Sequence, residues 1–183
     1  MERREILRVE HLKKYFSTPR GNLLAVDDVS FSINEGETIG VVGESGCGKS
    51  TLGRAILRLH EPTDGKVFFE GEDILTYNKE RLKQLRSQMQ IIFQDPYSSL
   101  NPRMSVSQAI AAPLIIQGIY RKGDKDKIQK KVHEMMELVG LARRFANAYP
   151  HEPDGGRRQR IGIARALVLN PKLIVCDEPV SAL

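Results

Sequence analysis

The sequence predicts an α/β protein with an inserted helical block, and three observations support this prediction. Residues 38–42 form a short apolar run that leads through a glycine-rich turn into a helical pattern at residues 49–59. Residues 105–149 show helical spacing and no convincing strand. Residues 173–176 form a second apolar run, which ends in two acidic residues. Short apolar runs of this kind are typical of strands buried on both faces of a sheet.

Further strands surround this core. Residues 7–12 and 29–33 alternate between polar and apolar side chains, which predicts strands with one solvated face. Residues 66–70 predict another strand, and residues 89–93 predict a buried one. Strands before and after a helical block indicate an α/β core that carries a helical subdomain.

The helical block contains one well-marked helix, and another helix follows the block. Asp124 is a candidate N-cap, and Gly140 stands where a helix stop is expected. Residues 155–169 predict the later helix. Apolar side chains at helical spacing predict the buried face of the first helix: Ile128, Val132, Met135, Met136 and Val139.

Composition is ordinary for a globular protein and excludes several functional classes. Hydrophobic residues make up 40% of the 183 residues, the formal net charge is +5, and there is no tryptophan. The basic residues are dispersed among acidic ones, so nothing indicates a nucleic-acid platform. Two cysteines, Cys47 and Cys176, are too few for a disulfide framework and suit reduced thiols in a cytosol.

No segment of the sequence predicts a membrane span or a signal peptide. The longest apolar run, residues 109–116, is too short to cross a bilayer and contains Pro113. The first residues lack an apolar signal core. We therefore expect any role in a membrane process to depend on a partner.

The glycine-rich turn matches the phosphate-binding pattern G-x-x-x-x-G-K-[ST], in the required place between a strand and a helix. Successive backbone N–H groups in such a turn converge on phosphate oxygens, and the helix dipole adds positive charge. Lys49 is expected to reach the β- and γ-phosphates, and Ser50 is expected to ligate Mg²⁺. The candidate nucleotide-binding residues are Gly43, Glu44, Ser45, Gly46, Cys47, Gly48, Lys49, Ser50 and Thr51.

The acidic pair Asp177-Glu178 follows the last apolar run. In folds with such a phosphate loop, a carboxylate at the end of a buried strand holds Mg²⁺, and this role is predicted for Asp177. Glu178 is placed to orient and polarise an attacking water as general base. A helix cap is the simpler alternative for an acidic pair after a strand, and the phosphate loop favours the functional interpretation.

Three further segments distinguish between the families that share these two patterns. Residues 91–103 read IIFQDPYSSLNPR, residues 155–167 read GGRRQRIGIARAL, and residues 175–183 read VCDEPVSAL. In this order they resemble the glutamine loop, the signature region and the second acidic motif of ABC-type ATPases. Residues 91–103 are similar to the oligopeptide and dipeptide importer subfamily.

This resemblance implies a P-loop NTPase core of the ABC type, with an N-terminal antiparallel β region and an inserted helical subdomain. Residues 1–94 and 155–183 would form the ATP-binding core, and residues 95–154 the mainly helical subdomain. ATP and Mg²⁺ are the implied cofactors. Gln94 would contact the Mg²⁺ and the attacking water. Adenine would stack on Phe16, with Tyr15 as the alternative.

The resemblance also implies partners and a location. Two such domains close head to tail, and each signature caps the ATP held by the other domain. The helical subdomain docks on integral membrane permease subunits at the cytoplasmic face of the membrane, and a solute-binding protein takes part indirectly. No nucleic acid is expected. The implied function is ATP hydrolysis coupled to transport of peptides or similar solutes.

The signature departs from the family pattern Leu-Ser-Gly-Gly-Gln. This sequence has Pro153, Asp154, Gly155, Gly156 and Arg157 in its place. The Asp154 carboxylate would face a γ-phosphate in a closed dimer, which predicts an impaired signature. Asp is nevertheless as good an N-cap as Ser, and Arg157 could pair with Asp154.

A second departure is the end of the sequence at Leu183, where the family pattern continues. This predicts a C-terminally incomplete domain with poor stability and weak hydrolysis on its own. The alternative function is a nucleotide-binding but catalytically impaired fragment or regulatory subunit. A nucleic-acid-directed ABC protein ranks lower, because no basic stripe or long coiled-coil arm is visible. A small GTPase ranks lowest, because the sequence has no Asn-Lys-x-Asp motif.

Overall fold

The computed structural model describes residues 4–95 and 99–178. The chain divides into two compact units, Met1–Leu82 and Lys83–Leu183. The first unit contains an antiparallel sheet and the phosphate loop. The second contains a helical bundle and a parallel pair of strands.

The first unit is built on a four-stranded antiparallel sheet in the order β2-β1-β3-β4. This confirms the antiparallel β region that the resemblance implies. The strands are β1 (Glu5–Thr18), β2 (Gly21–Asn34), β3 (Asp64–Phe69) and β4 (Glu72–Asp73). Helix α1 (Lys49–Ile56) contacts β1 and β2, and a 3₁₀ turn (Ile74–Thr76) follows β4.

The strands β1 and β2 are longer than the sequence predicts. Bulges interrupt the alternation of polar and apolar residues, so the pattern reveals only part of each strand. Leu7, Val9 and Leu12 of β1 are all buried, although strict alternation would place Leu12 on the opposite face from Val9. The register shifts between Val9 and Leu12, which returns Leu12 to the core side. Such bulges break the period-two pattern that identifies a strand in sequence.

The prediction of a strand at residues 38–42 is wrong. These residues lie outside every strand that the structure describes, and Val42 is 92% exposed. An extended segment forms a strand only when a neighbouring strand supplies its hydrogen bonds. Within residues 4–95 and 99–178 nothing pairs with this segment, so its apolar composition alone does not make a strand.

The second unit combines helices with two parallel strands. Strands β5 (Met89–Ile92) and β6 (Leu173–Cys176) pair in parallel, with Ile92 opposite Cys176. The long connection between them holds α3 (Val106–Ile116), α4 (Lys125–Leu138), a 3₁₀ turn (Arg143–Phe145) and α5 (Gly155–Leu167). Helix α2 (Lys79–Gln88) begins in the first unit, ends in the second, and was not predicted.

The helical character predicted for residues 105–149 is confirmed, and local sequence explains where the helices begin and end. Ser105 and Gln108 form a reciprocal capping box at the start of α3. Gly140 follows α4 with φ of 66°, as a helix stop requires. Asp124 does occupy the N-cap position of α4, but it makes no capping bond. Its carboxylate instead accepts a hydrogen bond from the Arg121 N–H at 2.8 Å.

The core of the second unit lies between α3, α4 and α5. The predicted apolar face of α4 is confirmed, because Val132 and Met136 are fully buried and the other predicted residues pack beside them. Leu114 of α3 and Ile161 of α5 belong to the same cluster. Strand β6 is less buried than predicted, because β5 is its only partner among the described residues and its other edge is open. Within those residues, no helix has the length and apolarity needed to cross a bilayer.

Two leucines offer a matched test of this packing. Leu114 is 2% exposed in the core, whereas Leu138 is 66% exposed at the end of α4. We expect Leu114→Ala to lower the free energy of unfolding by about 2–5 kcal/mol, because it removes buried contacts and leaves a cavity. Leu138→Ala should change it by less than about 0.5 kcal/mol. Urea denaturation followed by circular dichroism measures both, and equal effects would contradict the described core.

Candidate nucleotide site

The phosphate loop leads directly into α1, and its helix end is open to a ligand. Gly48 is the N-cap residue and has no side chain to accept a hydrogen bond from the first turn. Its carbonyl accepts the Leu52 N–H at 2.8 Å, so the helix is regular from its first residue. A helix N-terminus without a side-chain cap presents N–H groups and the positive end of the dipole to an anion.

Lys49 lies against the loop that precedes it. Its Nζ donates to the Gly43 carbonyl at 2.8 Å and to the Glu44 carbonyl at 2.7 Å. The Cys47 Sγ is 3.8 Å from the same nitrogen. An ammonium group has three donors and no acceptor, so these contacts hold its charge against the loop. That charge and the α1 N-terminus together favour a polyphosphate.

Glycine is required at position 48 for two reasons. Its φ of 98° lies in the left-handed region, which side chains disfavour. A Cβ atom at this position would lie 1.9 Å from the carbonyl oxygen of Ala25 in β2. Strand β2 therefore supports the loop by direct backbone contact. Gly46 also has a positive φ, of 80°, but a Cβ there would meet nothing within 4 Å.

In the second unit, the ends of β5 and β6 bring two candidate catalytic residues together. The Gln94 Nε2 donates to the Glu178 Oε2 at 2.5 Å. Asp177 is 8% exposed, and its N–H donates to the Ile92 carbonyl at 2.9 Å. The parallel pairing continues to Ile92 and Cys176, so both chains leave the sheet at the same edge. The sequence indicated each of these residues separately, but it did not predict their direct hydrogen bond.

The two candidate adenine-stacking aromatics have different surroundings. The Tyr15 hydroxyl donates to the Asp27 carboxylate, and this hydrogen bond is the main reason that the pKa of Tyr15 is raised to about 12. Phe16 makes an edge-to-face contact with His60, with ring centroids 5.6 Å apart. The Lys14 ammonium lies 4.9 Å from the Phe16 ring centroid. Adenine stacking on Phe16, with Tyr15 as the alternative, stays a prediction.

At the signature, both structural expectations for the altered residues are confirmed. Asp154 is the N-cap of α5, and its Oδ1 accepts the Arg157 N–H at 2.9 Å. Its Oδ2 is 3.0 Å from the Arg157 Nη1. One residue therefore engages both carboxylate oxygens. The sequence did not predict the third contact, in which the Arg157 guanidinium lies 4.9 Å from the Phe145 ring centroid.

Gly155 and Gly156 open α5 directly after this cap. A Cβ at Gly155 would meet nothing within 4 Å, so that backbone is accessible from outside. Pro153 is fully buried and anchors the turn that precedes the helix. The arrangement exposes a glycine backbone beside a charge pair, rather than beside a serine hydroxyl.

The fold and these motifs define a class of protein. The sequence model of the ABC transporter family matches residues 26–181, and the chain belongs to this family. The ATP-binding cassette MJ0796, solved as a dimer in a post-hydrolysis state bound to ADP and Pi, has a TM-score of 0.88 at 30% identity. The similarity covers 97% of this chain and 76% of that one. The predicted ABC-type α/β core is thereby confirmed.

Proteins of closely similar sequence narrow the assignment. The chain is 55% identical over 180 residues to the oligopeptide transport ATP-binding protein OppF of Bacillus subtilis, covering 98% of this chain and 58% of that protein. It is 53% identical to OppF of Salmonella typhimurium, covering 93% and 51%. The chain thus spans little more than half the length of these relatives. The predicted resemblance to oligopeptide importers is confirmed, and the alternative of an impaired fragment or regulatory subunit is not favoured.

The contact of Gly48 with Ala25 generates a prediction. We expect Gly48→Ala to disrupt the loop, because the new Cβ would collide with a backbone oxygen. Gly46→Ala is the matched control, since it carries only the conformational cost of about 1–2 kcal/mol. Thermal melting, with and without ATP, measures both variants. Gly48→Ala should melt lower and lose ATP-dependent stabilisation, and a Gly48→Ala protein indistinguishable from Gly46→Ala would refute the contact.

Proposed function

We propose that this chain forms the nucleotide-binding part of a subunit that hydrolyses ATP to drive import of peptides or similar solutes. The observation that carries the proposal is the loop of residues 43–51, where the Lys49 ammonium and the uncapped α1 N-terminus provide positive charge for a triphosphate. The likeness to OppF proteins, which are oligopeptide transport ATP-binding proteins, supports the choice of solute.

Binding in this proposal uses the first unit. The β- and γ-phosphates take the place of the Gly43 and Glu44 carbonyls as partners of Lys49, and the loop N–H groups bind the phosphate oxygens. Adenine stacks on Phe16 or, as the alternative, on Tyr15. The Tyr15 hydroxyl is held by its hydrogen bond to Asp27, whereas Phe16 has no polar group that could be held in this way, which supports Phe16.

The residues assigned to Mg²⁺ suit a hard cation. Ser50, Gln94 and Asp177 offer a hydroxyl, an amide and a carboxylate oxygen, which are ligands that Mg²⁺ prefers. The described residues hold no cluster of three or more His, Cys, Asp or Glu side chains that could bind a metal alone. That agrees with an ion held by one carboxylate, waters and substrate phosphates. When bound, Mg²⁺ neutralises the charge that develops on the phosphate oxygens.

Glu178 acts as the general base in this proposal. Its carboxylate accepts a proton from water as the water oxygen attacks the γ-phosphorus, and the bond from that phosphorus to the bridging oxygen breaks. The products are ADP and inorganic phosphate. Gln94 holds the carboxylate through its amide N–H, and the carboxylate orients the water.

A second cassette completes the proposed site. Each signature would cap the ATP bound by the other domain, as the dimeric state of the MJ0796 cassette suggests. Integral membrane permease subunits would receive the helical subdomain, residues 95–154, at the cytoplasmic face of the membrane. A solute-binding protein would deliver the solute to those subunits, and no nucleic acid takes part.

The altered signature should weaken this assembly without preventing it. Two unit charges about 4 Å apart repel by about 4 kcal/mol at an effective dielectric constant near 20, which exceeds the roughly 1 kcal/mol of a hydroxyl hydrogen bond. Arg157 offsets part of the Asp154 charge. Because both side chains are about half exposed, solvent screens their attraction as well as the repulsion.

The assigned roles of Lys49 and Glu178 can be separated by ATP titration with and without Mg²⁺. We expect Lys49→Ala to weaken ATP binding by roughly 10- to 100-fold, because it removes charge-assisted hydrogen bonds. Glu178→Gln should retain affinity and lose hydrolysis, since the amide cannot accept the proton. Lys66→Ala, at an exposed position in β3, is the control for loss of one positive charge. Equal weakening of ATP binding by Lys49→Ala and Lys66→Ala would contradict the role assigned to Lys49.

The signature hypothesis predicts an order of activities in the full-length protein with its partner cassette. Arg157→Gln alone should be the slowest, because it leaves Asp154 without its cation. Asp154→Ser with Arg157→Gln should hydrolyse ATP faster than the unchanged protein, by roughly tenfold for each 1.4 kcal/mol of repulsion removed. Steady-state phosphate release measures all three. If the double variant shows no gain, the signature is not impaired.

A further inference from the structure

The arginines of α5 hold neighbouring loops by their backbone carbonyls. Arg158 donates to the Pro153 carbonyl at 2.9 Å, before the helix. Arg160 donates to the Gly140 carbonyl at 2.9 Å, at the turn that follows α4. Arg165 donates through Nη1 to the carbonyl of Ser99. The first two contacts bind the helix to nearby turns of the bundle, whereas the third binds it to the loop that begins at Gln94.

Arg158 and Arg165 are both partly buried, whereas Arg160 is exposed. Of the two partly buried arginines, Arg165 is the one that contacts the segment after Gln94. Its guanidinium is partly buried, and burial lowers its pKa. Removing a guanidinium from water is costly unless its donors find acceptors in the protein. A planar guanidinium also holds its partner in a defined direction, which an ammonium does not. This contact therefore restrains Ser99 more tightly than a surface hydrogen bond would.

The helix that carries Arg165 is packed in the core of the second unit. Ile161 and Ala164, within one turn of Arg165, are fully buried in the core of the second unit. Helix α5 also contacts β5, the strand that ends two residues before Gln94. Leu100, next to Ser99, is 4% exposed in the same core. Ser99 and Leu100 are thus attached to the bundle, Leu100 by its burial in the core and Ser99 by the Arg165 guanidinium.

We infer that Arg165 is a positioning residue for Gln94. It fixes the Ser99 carbonyl five residues after Gln94, and its helix also contacts β5 just before Gln94, so it keeps the Gln94 amide at the Glu178 carboxylate. The catalytic consequence rests on the proposed function, because Glu178 is the general base only if ATP is hydrolysed. The placement of the Gln94 amide by Arg165 does not rest on the proposed function.

A tryptophan reporter tests this inference, since the chain contains no tryptophan of its own. Phe93 adjoins Gln94, six positions from Ser99, and is partly buried. Phe93→Trp therefore reports on the Gln94 end of the loop rather than on the contact at Ser99. In this background, Arg165→Met removes the donors while keeping an unbranched side chain. We expect acrylamide quenching of the reporter to rise by roughly twofold, as local opening exposes it.

Two further variants make the result specific. Arg165→Lys keeps a charge and donors, so quenching should return most of the way to that of the reporter protein alone. Arg160→Met removes an arginine from the same helix whose acceptors lie at residues 139–140, and it should leave quenching unchanged. Unchanged quenching in Arg165→Met overturns the inference, as does an equal rise in Arg160→Met. If Arg165→Met fails to fold, the comparison of Arg165→Lys with the reporter protein decides, and a small rise is then expected.

The measurement also separates this inference from the proposed function. Quenching is recorded without nucleotide, so it does not depend on hydrolysis. In a hydrolysing full-length protein, Arg165→Met should lower kcat by about tenfold through misplacement of Gln94. The KM for ATP should change by less than about twofold, because the phosphate loop is untouched. A reporter response without any ATP hydrolysis by the unchanged protein would uphold the positioning of Gln94 and reject the proposed function.

Discussion

The parallel pairing of β5 with β6 is the interaction on which the arrangement of the second unit depends. These strands are far apart in sequence, and the helices α3, α4 and α5 all lie between them. Because the strands run in the same direction, their carboxyl ends meet at one edge. Gln94 and Glu178 therefore meet although nothing local in the sequence joins them. The hydrogen bond from the Asp177 N–H to the Ile92 carbonyl extends this register past the last residue of β6.

The signature shows how a local substitution can preserve structure while changing chemistry. Asp154 satisfies the first turn of α5 as a serine would, so the helix begins where the family pattern places it. The cost is a charge where the family pattern has a hydroxyl. Arg157 forms an ion pair with that carboxylate within the same turn. The guanidinium of Arg157 also lies over the ring of Phe145 in the 3₁₀ turn. The pair is thus self-contained and does not rely on a partner protein to be formed.

Much of the fold could be predicted from the sequence, because it is encoded in short patterns. The glycine-rich turn before Lys49, the apolar face of α4 and the stop at Gly140 all follow from local chemistry. The strand predicted at residues 38–42 fails because strands depend on neighbours, and an apolar run does not reveal whether a neighbour is present. Helix α2 was missed for the opposite reason: it is strongly polar, and only Leu85 is buried, so it has almost no apolar periodicity to detect. The contacts of Arg165 and Phe145 join distant residues and leave no local pattern.

The approach of Gly48 to Ala25 has a consequence for how this site can vary. The contact restricts the choice of amino acid at one of the two positions only. Ala25 takes part through its backbone oxygen, whereas Gly48 takes part because it has no side chain. An oxygen of the main chain is present whatever amino acid stands at position 25, so that position is free to change as far as this contact is concerned. Position 48 has no such freedom. Comparison of many related proteins should therefore find an invariant glycine facing a variable neighbour, a pair that correlated substitution would never reveal.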